Sequence, residues 1–390
     1  MAQTEEFYRI KRLPPYVFEE VNNLKSMLRA DGRDIIDLGM GNPDMPPPRH
    51  IIDKLCETAQ NPKAHRYSAS KGIKGLRRAI ARYYLRRFDV RLDPDTEIVS
   101  TIGSKEGFAN LAQAITAPGD IVLSPDPAYP IHAYGFIIAD GVVGAIPALT
   151  PEQYLAGLSE AAKSARAKVM VLNYPSNPTA QTVDLEFYRD AVALARKHDI
   201  LIFSDLAYSE IYFGDPPPSI FQAEGAKDVA VEVNSLSKTF SMAGWRVGMA
   251  VGNERLIRAL ARVKSYLDYG AFTPIQVAAV AALDGPEAAI QEIRDTYRLR
   301  RDTLIEHFGN AGWDIPVPDA SMFAWAPIPD RYAGLGSIAF AKMLMEEADV
   351  AVAPGLGFGE RGDGHVRIGL VENQQRIRQA ARNLKRLLAS

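Results

Sequence analysis

Six short apolar runs rich in β-branched residues alternate with amphipathic segments between residues 97 and 252, and this alternation constrains the fold more than any other feature. Continuous apolar runs separated by helices are typical of strands buried on both faces, so they indicate a largely parallel sheet in an α/β domain. In such sheets, ligands bind at the carboxyl ends of the strands. We therefore expect the functional residues directly after the runs. The runs are at residues 97–101, 120–123, 168–172, 200–203, 229–233 and 246–251.

The C-terminal third of the chain has a different pattern. Residues 253–308 are mainly helical in character, with short interruptions that contain glycine and proline. Strand patterns at residues 322–326 and 365–370 then precede a terminal amphipathic helix at residues 373–388. This mixture of strands and helices predicts a second, smaller α+β unit.

These patterns predict an α/β fold with two domains. The mostly parallel sheet belongs to a large domain at residues 46–285, and the smaller α+β domain spans residues 286–390. Residues 1–45 are rich in proline and turn signals, and we expect them to form an N-terminal arm and a segment that packs on the small domain.

Charge and composition exclude several classes of function. The chain has 45 basic and 47 acidic residues, a formal net charge of −2, which gives no electrostatic reason to bind nucleic acid or an anionic membrane. Uncharged stretches reach about 15 residues, whereas a membrane-spanning helix needs about 20. The N-terminus lacks the apolar core of a secretory signal, so we expect a cytoplasmic protein.

Cysteine and histidine usage gives no sign of a metal centre. The single cysteine, Cys56, has no partner for an intramolecular disulfide, and we expect it to be a small buried residue. The six histidines are scattered without the spacing typical of metal ligands. We therefore expect no metal site.

A lysine flanked by hydroxyl side chains follows one of the predicted buried strands. Ser235, Ser237 and Lys238 lie together there, and Arg246 follows eight residues later. A lysine in a turn is most often a solvated surface residue. The alternative is a Schiff-base lysine, whose amine must be desolvated to act as a nucleophile at neutral pH. The two serines and the arginine would then bind the phosphate of the aldehyde that the lysine holds.

Polar residues at two other strand ends suit the same chemistry. Asp205 ends the run that begins at residue 200, and Tyr208 follows three residues later. Pyridoxal phosphate acts as an electron sink only while its ring nitrogen stays protonated, and an aspartate maintains that proton. Asn177 follows the preceding strand and, with the Tyr208 hydroxyl, would contact the phenolic oxygen of the cofactor. Taken separately, Asp205 is also typical of a helix cap and Asn177 of a turn.

A second phosphate-binding element precedes these strands. Ser104 opens a predicted helix directly after a strand, and helix N-termini present free backbone N–H groups to anions. A simple serine cap explains the same residue equally well. Tyr129 follows the next strand, where its ring would stack on the pyridine face or pack in the core.

From about Leu13 to Leu388 the sequence resembles the class I/II, fold-type I aminotransferases that depend on pyridoxal phosphate. The resemblance implies that Lys238 is the Schiff-base residue and that it also transfers the substrate proton. It implies that Asp205 binds the pyridine nitrogen, that Asn177 and Tyr208 bind the phenolic oxygen, and that Tyr129 stacks on the ring. The residues that match the phosphate-binding set of the family are Ser104, Lys105, Ser235, Ser237 and Arg246.

The resemblance also implies how substrates bind and how subunits assemble. Arg367 matches the arginine that binds the α-carboxylate, and Gly41 matches a backbone contact to the same group. Tyr129 and Asn177 also face the substrate, and Tyr16 resembles an arm residue that closes over it. Tyr67 resembles the tyrosine that family members contribute to the phosphate of a neighbouring subunit. A homodimer with shared active sites is therefore expected.

The implied reaction is ping-pong transamination between an L-amino acid and a 2-oxo acid. Members dedicated to aspartate carry a second arginine shortly before a proline, but residues 265–274 contain no arginine and instead an aspartate, Asp268. The sequence motifs are most similar to those of bacterial glutamate–pyruvate (alanine) aminotransferases. Aminotransferases for diaminopimelate, aspartate, methionine or aromatic amino acids remain alternatives.

Two alternatives with different functions use the same framework. A C–S β-lyase also needs Lys238 and Asp205 but eliminates from Cβ. A transcription regulator would place a DNA-binding helix-turn-helix ahead of the fold, and only about 12 residues precede Leu13. A basic patch for DNA binding is also missing from the sequence, so an enzyme is the favoured interpretation of this chain.

Overall fold

A seven-stranded sheet forms the centre of the large domain. The structure is a computed structural model that describes residues 7–14, 17–164 and 166–388. The strands are β1 (Ile36–Asp37), β2 (Ile98–Thr101), β3 (Ile121–Asp126), β4 (Val142–Pro147), β5 (Ala167–Asn173), β6 (Leu201–Asp205), β7 (Ala230–Ser235), β8 (Gly248–Gly252), β9 (Phe323–Pro327), β10 (Val350–Ala351), β11 (Ala353–Pro354) and β12 (His365–Gly369). The helices are α1 (Tyr8–Lys11), α2 (Val17–Ala30), α3 (Arg49–Ala59), α4 (Lys74–Phe88), α5 (Ser104–Ile115), α6 (Ile131–Ile138), α7 (Pro151–Ser164), α8 (Leu185–His198), α9 (Ala226–Val229), α10 (Leu236–Thr239), α11 (Glu254–Leu267), α12 (Thr273–Leu283), α13 (Glu287–Gly309), α14 (Gly336–Ala348) and α15 (Gln374–Leu388).

The order of the strands in the large sheet is β2-β8-β7-β6-β5-β3-β4. Strand β8 runs antiparallel to both of its neighbours, and the other pairs are parallel. The predicted mostly parallel sheet is therefore confirmed. Strand β8 begins at Gly248 rather than at the predicted residue 246, because Arg246 has a left-handed backbone, with φ of 57°, that no strand accommodates.

Helices cover both faces of this sheet, which explains the continuous apolar runs. Along β5, Met170 packs into the core on one face and Val171 into the core on the other. Helices α4, α8 and α12 contribute to the first core, and α5, α6 and α11 to the second. Because successive side chains of a strand point to opposite faces, a strand buried on both faces must be apolar at nearly every position.

A separate core holds the smaller α+β unit together. Strands β11, β12 and β9 form an antiparallel sheet, and helices α13, α14 and α15 pack around it. Strand β1 pairs in parallel with β10, so a segment close to the N-terminus joins this C-terminal unit. Helix α13 contributes Ile290 to the large core and Leu304 to the small one. The domain limits at residues 45 and 285 stay predictions.

Three observations concern the predictions that were made from composition. Cys56 is exposed on α3, so the prediction that it is buried is wrong; it lies on the outer side of an amphipathic helix whose buried residue is Ile51. In the described part of the chain, no helix combines the length and apolar character that crossing a membrane requires. Among the described residues, no group of three or more His, Cys, Asp or Glu side chains is arranged to hold a metal ion.

Candidate active site

A cavity of about 460 Å³ lies at the carboxyl ends of β5, β6 and β7, where the strand pattern predicts the functional residues. This volume is within the usual range for sites that bind small molecules, about 300–1,000 Å³. Tyr67 is not among the lining residues, and Tyr16 lies outside the described residues. The predicted site residues that line the cavity are Gly41, Ser104, Lys105, Tyr129, Asn177, Asp205, Tyr208, Ser235, Ser237, Lys238, Arg246 and Arg367.

Lys238 enters the cavity from the short helix α10, which directly follows β7. The Ser235 hydroxyl caps this helix by accepting a hydrogen bond from the Ser237 N–H at 3.1 Å. The Lys238 Nζ donates to the Gly41 carbonyl at 2.7 Å. Burial, and then the nearby charges of Arg367 and Arg246, lower the pKa of the Lys238 ammonium to about 8. The amine is therefore much more available as a nucleophile or base near neutral pH than an ordinary lysine.

Asp205 is the last residue of β6, and a buried histidine holds its carboxylate. His132 Nε2 lies 3.0 Å from Asp205 Oδ2, and the backbone N–H of Ala207 donates to Oδ1 at 3.1 Å. The His132 side chain has no exposed surface. Sequence reasoning missed this histidine because it treated all six as scattered. Its position at the start of α6, three residues after Tyr129, is the signal that could have found it.

Asn177 and Tyr208 meet on the neighbouring side of the cavity. The Asn177 backbone N–H donates to Asn173 Oδ1 at 2.9 Å, which fixes the turn after β5. The Asn177 Nδ2 lies 3.4 Å from the Tyr208 hydroxyl. Burial raises the pKa of Tyr208 well above its ordinary value, and the charge of Arg367 opposes that rise. Tyr208 therefore stays protonated, and its hydroxyl can donate to an oxyanion.

Arg367 extends from β12 into the cavity and spans the two units of the fold. Its NH1 donates to Asn177 Oδ1 at 2.8 Å, and its NH2 donates to the Gly39 carbonyl at 3.1 Å. The guanidinium lies 4.0 Å from the ring centroid of Phe323 and 4.7 Å from that of Phe358. A planar cation held against two aromatic rings is well placed to bind a carboxylate with two hydrogen bonds.

The cationic end of the cavity is built on the N-terminus of α5 and on the turn that follows α10. Ser104 and Lys105 open α5, and Arg246 follows the turn after α10. A methyl group at Gly103 would overlap the Arg246 guanidinium, and one at Gly248 would lie 2.6 Å from the Ser104 backbone nitrogen. The two glycines therefore let the backbone pack tightly against the arginine. The free backbone N–H groups at the start of α5 can then face an anion.

This donor set fits pyridoxal phosphate, the cofactor that the sequence implies. The backbone N–H groups of α5, the serine hydroxyls and the Arg246 guanidinium suit a phosphate. At the other end, the Asp205 carboxylate suits a protonated ring nitrogen. Lys238 supplies an amine of lowered pKa in the same cavity. The roles assigned to the individual residues stay predictions.

Tyr67 lies on the surface, away from the cavity of its own chain. Its side chain is 86% exposed, and its ring packs on Tyr269 with the two centroids 4.6 Å apart. Tyr266, Leu267 and Phe272 are also exposed in the same segment as Tyr269. Within one chain, the structure therefore does not bring Tyr67 to the cationic end of the cavity. An exposed aromatic cluster of this kind is typical of a surface that contacts another molecule.

Comparisons with known proteins agree with this geometry. The family described as aminotransferase class I and II matches residues 33–384. The chain is 63% identical over 389 residues to a putative aminotransferase AatC of Rhizobium meliloti, covering 99% of this chain and 96% of that protein. It is 52% identical over 391 residues to the glutamate-pyruvate aminotransferase AlaC of Escherichia coli, covering 99% and 95% of the two chains.

Two further likenesses bear on specificity and fold. The LL-diaminopimelate aminotransferase of Moorella thermoacetica is 44% identical over 389 residues, covering 98% of each chain. The substrate-bound structure of BacF from Bacillus subtilis superimposes with a TM-score of 0.91 at 35% identity, covering 99% of this chain and 98% of that one.

Proposed function

The chain belongs to the class I and II aminotransferases, which are enzymes that depend on pyridoxal phosphate, and we propose that it transfers an amino group between L-glutamate and pyruvate. The products are 2-oxoglutarate and L-alanine, and the reaction is reversible. The observation that carries the proposal is the 52% identity with a glutamate-pyruvate aminotransferase over 99% of this chain. The absence of an arginine from residues 265–274 supports it, because enzymes dedicated to aspartate are expected to carry one there.

The side chains of the cavity divide the work of the reaction. Bound pyridoxal phosphate supplies an electron sink for the electron pair that Cα retains when it loses its proton. Arg367 binds the α-carboxylate, and Asn177 holds the arginine in place. Lys238 would take the proton from Cα and hold it on its amine, a role that its pKa of about 8 suits. Asp205, held by His132, keeps the ring nitrogen protonated.

We further propose that the active enzyme is a homodimer in which Tyr67 reaches the phosphate site of the partner subunit. The exposed ring pair of Tyr67 and Tyr269 supports this assembly, and Tyr266 and Phe272 are exposed in the same segment as Tyr269. Mixing two inactive variants tests it, Lys238→Ala and Tyr67→Ala. In a mixed dimer with shared sites, one site keeps its own lysine and the partner's intact tyrosine, so part of the activity returns. No return of activity on mixing contradicts a shared site.

LL-diaminopimelate is the alternative amino donor, because relatives with that activity are 44% identical over 98% of the chain. It differs from glutamate in carrying a second amino acid group at its far end. The two proposals therefore differ only in the part of the cavity that receives the substrate side chain, since the α-carboxylate and the amino group are common to both.

The proposed specificity is tested on the purified enzyme with bound cofactor. We expect the visible absorption of the cofactor to bleach with L-glutamate and L-alanine, and to return with pyruvate or 2-oxoglutarate. A higher kcat/KM for LL-diaminopimelate, aspartate, methionine or an aromatic amino acid would refute the glutamate–pyruvate assignment. Pyruvate and ammonia formed from cystathionine without a 2-oxo acid would indicate a C–S β-lyase. The Lys238→Ala variant, which keeps the other residues of the cavity, is the control for each measurement.

A further inference from the structure

A lysine occupies a core position of the first long helix. Val21, Lys25 and Leu28 are spaced by four and three residues along α2, and all three are buried, with exposures of 5%, 8% and 8%. This spacing marks the face of a helix that packs on the protein interior, where apolar side chains are usual. A lysine is rarely buried to this extent unless its charge is paired. The burial of Lys25 therefore has to be explained by a partner for its charge.

That partner is Asp37, the last residue of β1. Lys25 Nζ lies 2.8 Å from Asp37 Oδ2, and the two side chains are 10% and 15% exposed. Arg29 makes a longer contact of 3.6 Å with the same oxygen from the exposed side of α2. The second carboxylate oxygen, Asp37 Oδ1, accepts a hydrogen bond from the Gly39 backbone N–H at 3.1 Å. The carboxylate thus joins the helix to the backbone that follows the strand.

This backbone supports the two most important side chains of the cavity. The Gly39 carbonyl accepts from Arg367 NH2 at 3.1 Å, and the Gly41 carbonyl accepts from Lys238 Nζ at 2.7 Å. The segment is closely packed, because a methyl group at Gly41 would lie 2.8 Å from the Phe323 ring. Neither glycine has a side chain that could anchor the segment. The buried side chain and backbone of Leu38 anchor the start of the segment, and the carboxylate of Asp37 holds the Gly39 N–H.

We propose that Lys25 and Asp37 are a positioning pair that sets the affinity of the enzyme for the α-carboxylate of its substrates. The pair holds the Gly39 N–H, and the Gly39 carbonyl in turn orients Arg367. The inference rests on the placement of the α-carboxylate at Arg367 in the proposed function. Lys25 borders the cavity, but its charge is committed to Asp37, so it acts through the backbone.

The expected effect falls on substrate affinity, because Arg367 binds a carboxylate with two hydrogen bonds only while its guanidinium keeps its orientation. Supporting contacts usually hold such groups within about 0.5 Å. In a Lys25→Met variant, the side chain still fills the core position, but the ammonium is lost. Arg29 remains as a partial partner for Asp37, so we expect about a ten-fold effect, which corresponds to about 1.4 kcal/mol of binding free energy.

The test uses the holoenzyme and the rate at which amino acids bleach its cofactor in a single turnover. We expect Lys25→Met to raise the apparent Kd for every accepted amino acid by the same factor, about ten, and to change the limiting rate by less than about three-fold. Asp37→Asn, which preserves the side-chain shape, should do the same. Lys25→Arg keeps the charge and should recover most of the affinity. The matched control is Glu20→Gln, which breaks a 2.8 Å pair between the same helix and Lys342 on the surface.

Three results would overturn the inference. The first is an unchanged apparent Kd in both Lys25→Met and Asp37→Asn. The second is an increase confined to glutamate, because Lys25 would then bind the substrate side chain. The third is an equal increase in Glu20→Gln, which would indicate a general loosening of the helix. The donors are those that the native enzyme accepts, so a preference other than glutamate and alanine refutes the proposed specificity and leaves this test intact.

Discussion

Lys264 provides the sharpest test of how the active site is supported. It lies on α11 with no exposed surface, and its Nζ is 3.0 Å from Glu106 Oε1 and 2.9 Å from Asp268 Oδ2. Glu106 belongs to the first turn of α5, directly after the cavity residues Ser104 and Lys105. Asp268 precedes Tyr269 in the exposed aromatic cluster. One buried ammonium therefore joins the phosphate end of the cavity to that surface.

Replacing Lys264 with methionine should lower the free energy of unfolding by about 3 kcal/mol. Removing one partner of a buried ion pair typically costs about 3–5 kcal/mol, because the remaining charge stays buried without compensation. The lower end applies here for two reasons. Glu106 and Asp268 are 24% and 16% exposed, so water screens part of the loss. They also keep backbone donors, since the Ile102 N–H lies 2.7 Å from Glu106 Oε2 and the Gly270 N–H lies 2.6 Å from Asp268 Oδ1.

The assay is urea unfolding followed by circular dichroism, at one protein concentration and with saturating cofactor, because assembly and cofactor binding both shift apparent stability. The triple variant Lys264→Met, Glu106→Gln, Asp268→Asn removes all three charges and should recover to within about 1 kcal/mol of the native enzyme. The matched control is Lys342→Met, which breaks an exposed pair and should cost less than about 1 kcal/mol. A loss below about 0.5 kcal/mol in Lys264→Met, or a triple variant no more stable than the single one, would refute the reasoning.

Three further predictions concern titratable groups. Apoenzyme should recombine with pyridoxal phosphate at a rate that rises with pH with a midpoint near 8, since only the unprotonated Lys238 amine reacts and its pKa is lowered to about 8. A midpoint near 10.5 would contradict this. Burial raises the pKa of Glu232 from 4.5 to about 7, so between these pH values the folded state keeps a proton that the unfolded state has lost. The contribution of Glu232 to the free energy of unfolding should therefore fall by about 3 kcal/mol as the pH rises from 4.5 through 7. Glu232→Gln should flatten that fall in unfolding measurements, and a parallel profile would contradict it. His132→Phe should lower kcat about ten-fold with little change in KM, because it releases Asp205 without touching the substrate; steady-state kinetics that show a change in KM alone would contradict this role.

Much of the site could be predicted because its residues follow strands whose pattern is local. Parallel strands of similar length end at the same edge of a sheet, and Asn173 and Asp205 are direct neighbours across β5 and β6. The order of apolar runs along the chain was therefore enough to bring Asn177, Asp205 and Lys238 to one cavity. Arg367 and Gly41 required the resemblance to a known family, since nothing in their local sequence separates them from surface residues.

Elements that depend on distant partners could not be predicted from pattern. Strand β4 lies at the edge of the sheet, and it was missed because the glycine and proline in its short sequence, VVGAIP, are typical of a turn. Strands β1 and β10 have two residues each, and they form only because Ile36 pairs with Val350. Two residues carry no recognisable strand period, so the pairing appears only once the N-terminal segment has packed on the smaller unit.

The same limit explains why the supporting residues of the active site were missed while most of its lining was found. Lys25, His132 and Lys264 each lie on a helix whose pattern is dominated by its apolar face, and a single polar residue there reads as part of the solvated side. Their partners come from other segments: Asp37 for Lys25, and Asp205 for His132. A buried charge is tolerated only where such a partner exists. A polar side chain at a core position of a helix therefore predicts a partner, and for Lys25, His132 and Lys264 that partner lies in the active site or next to it.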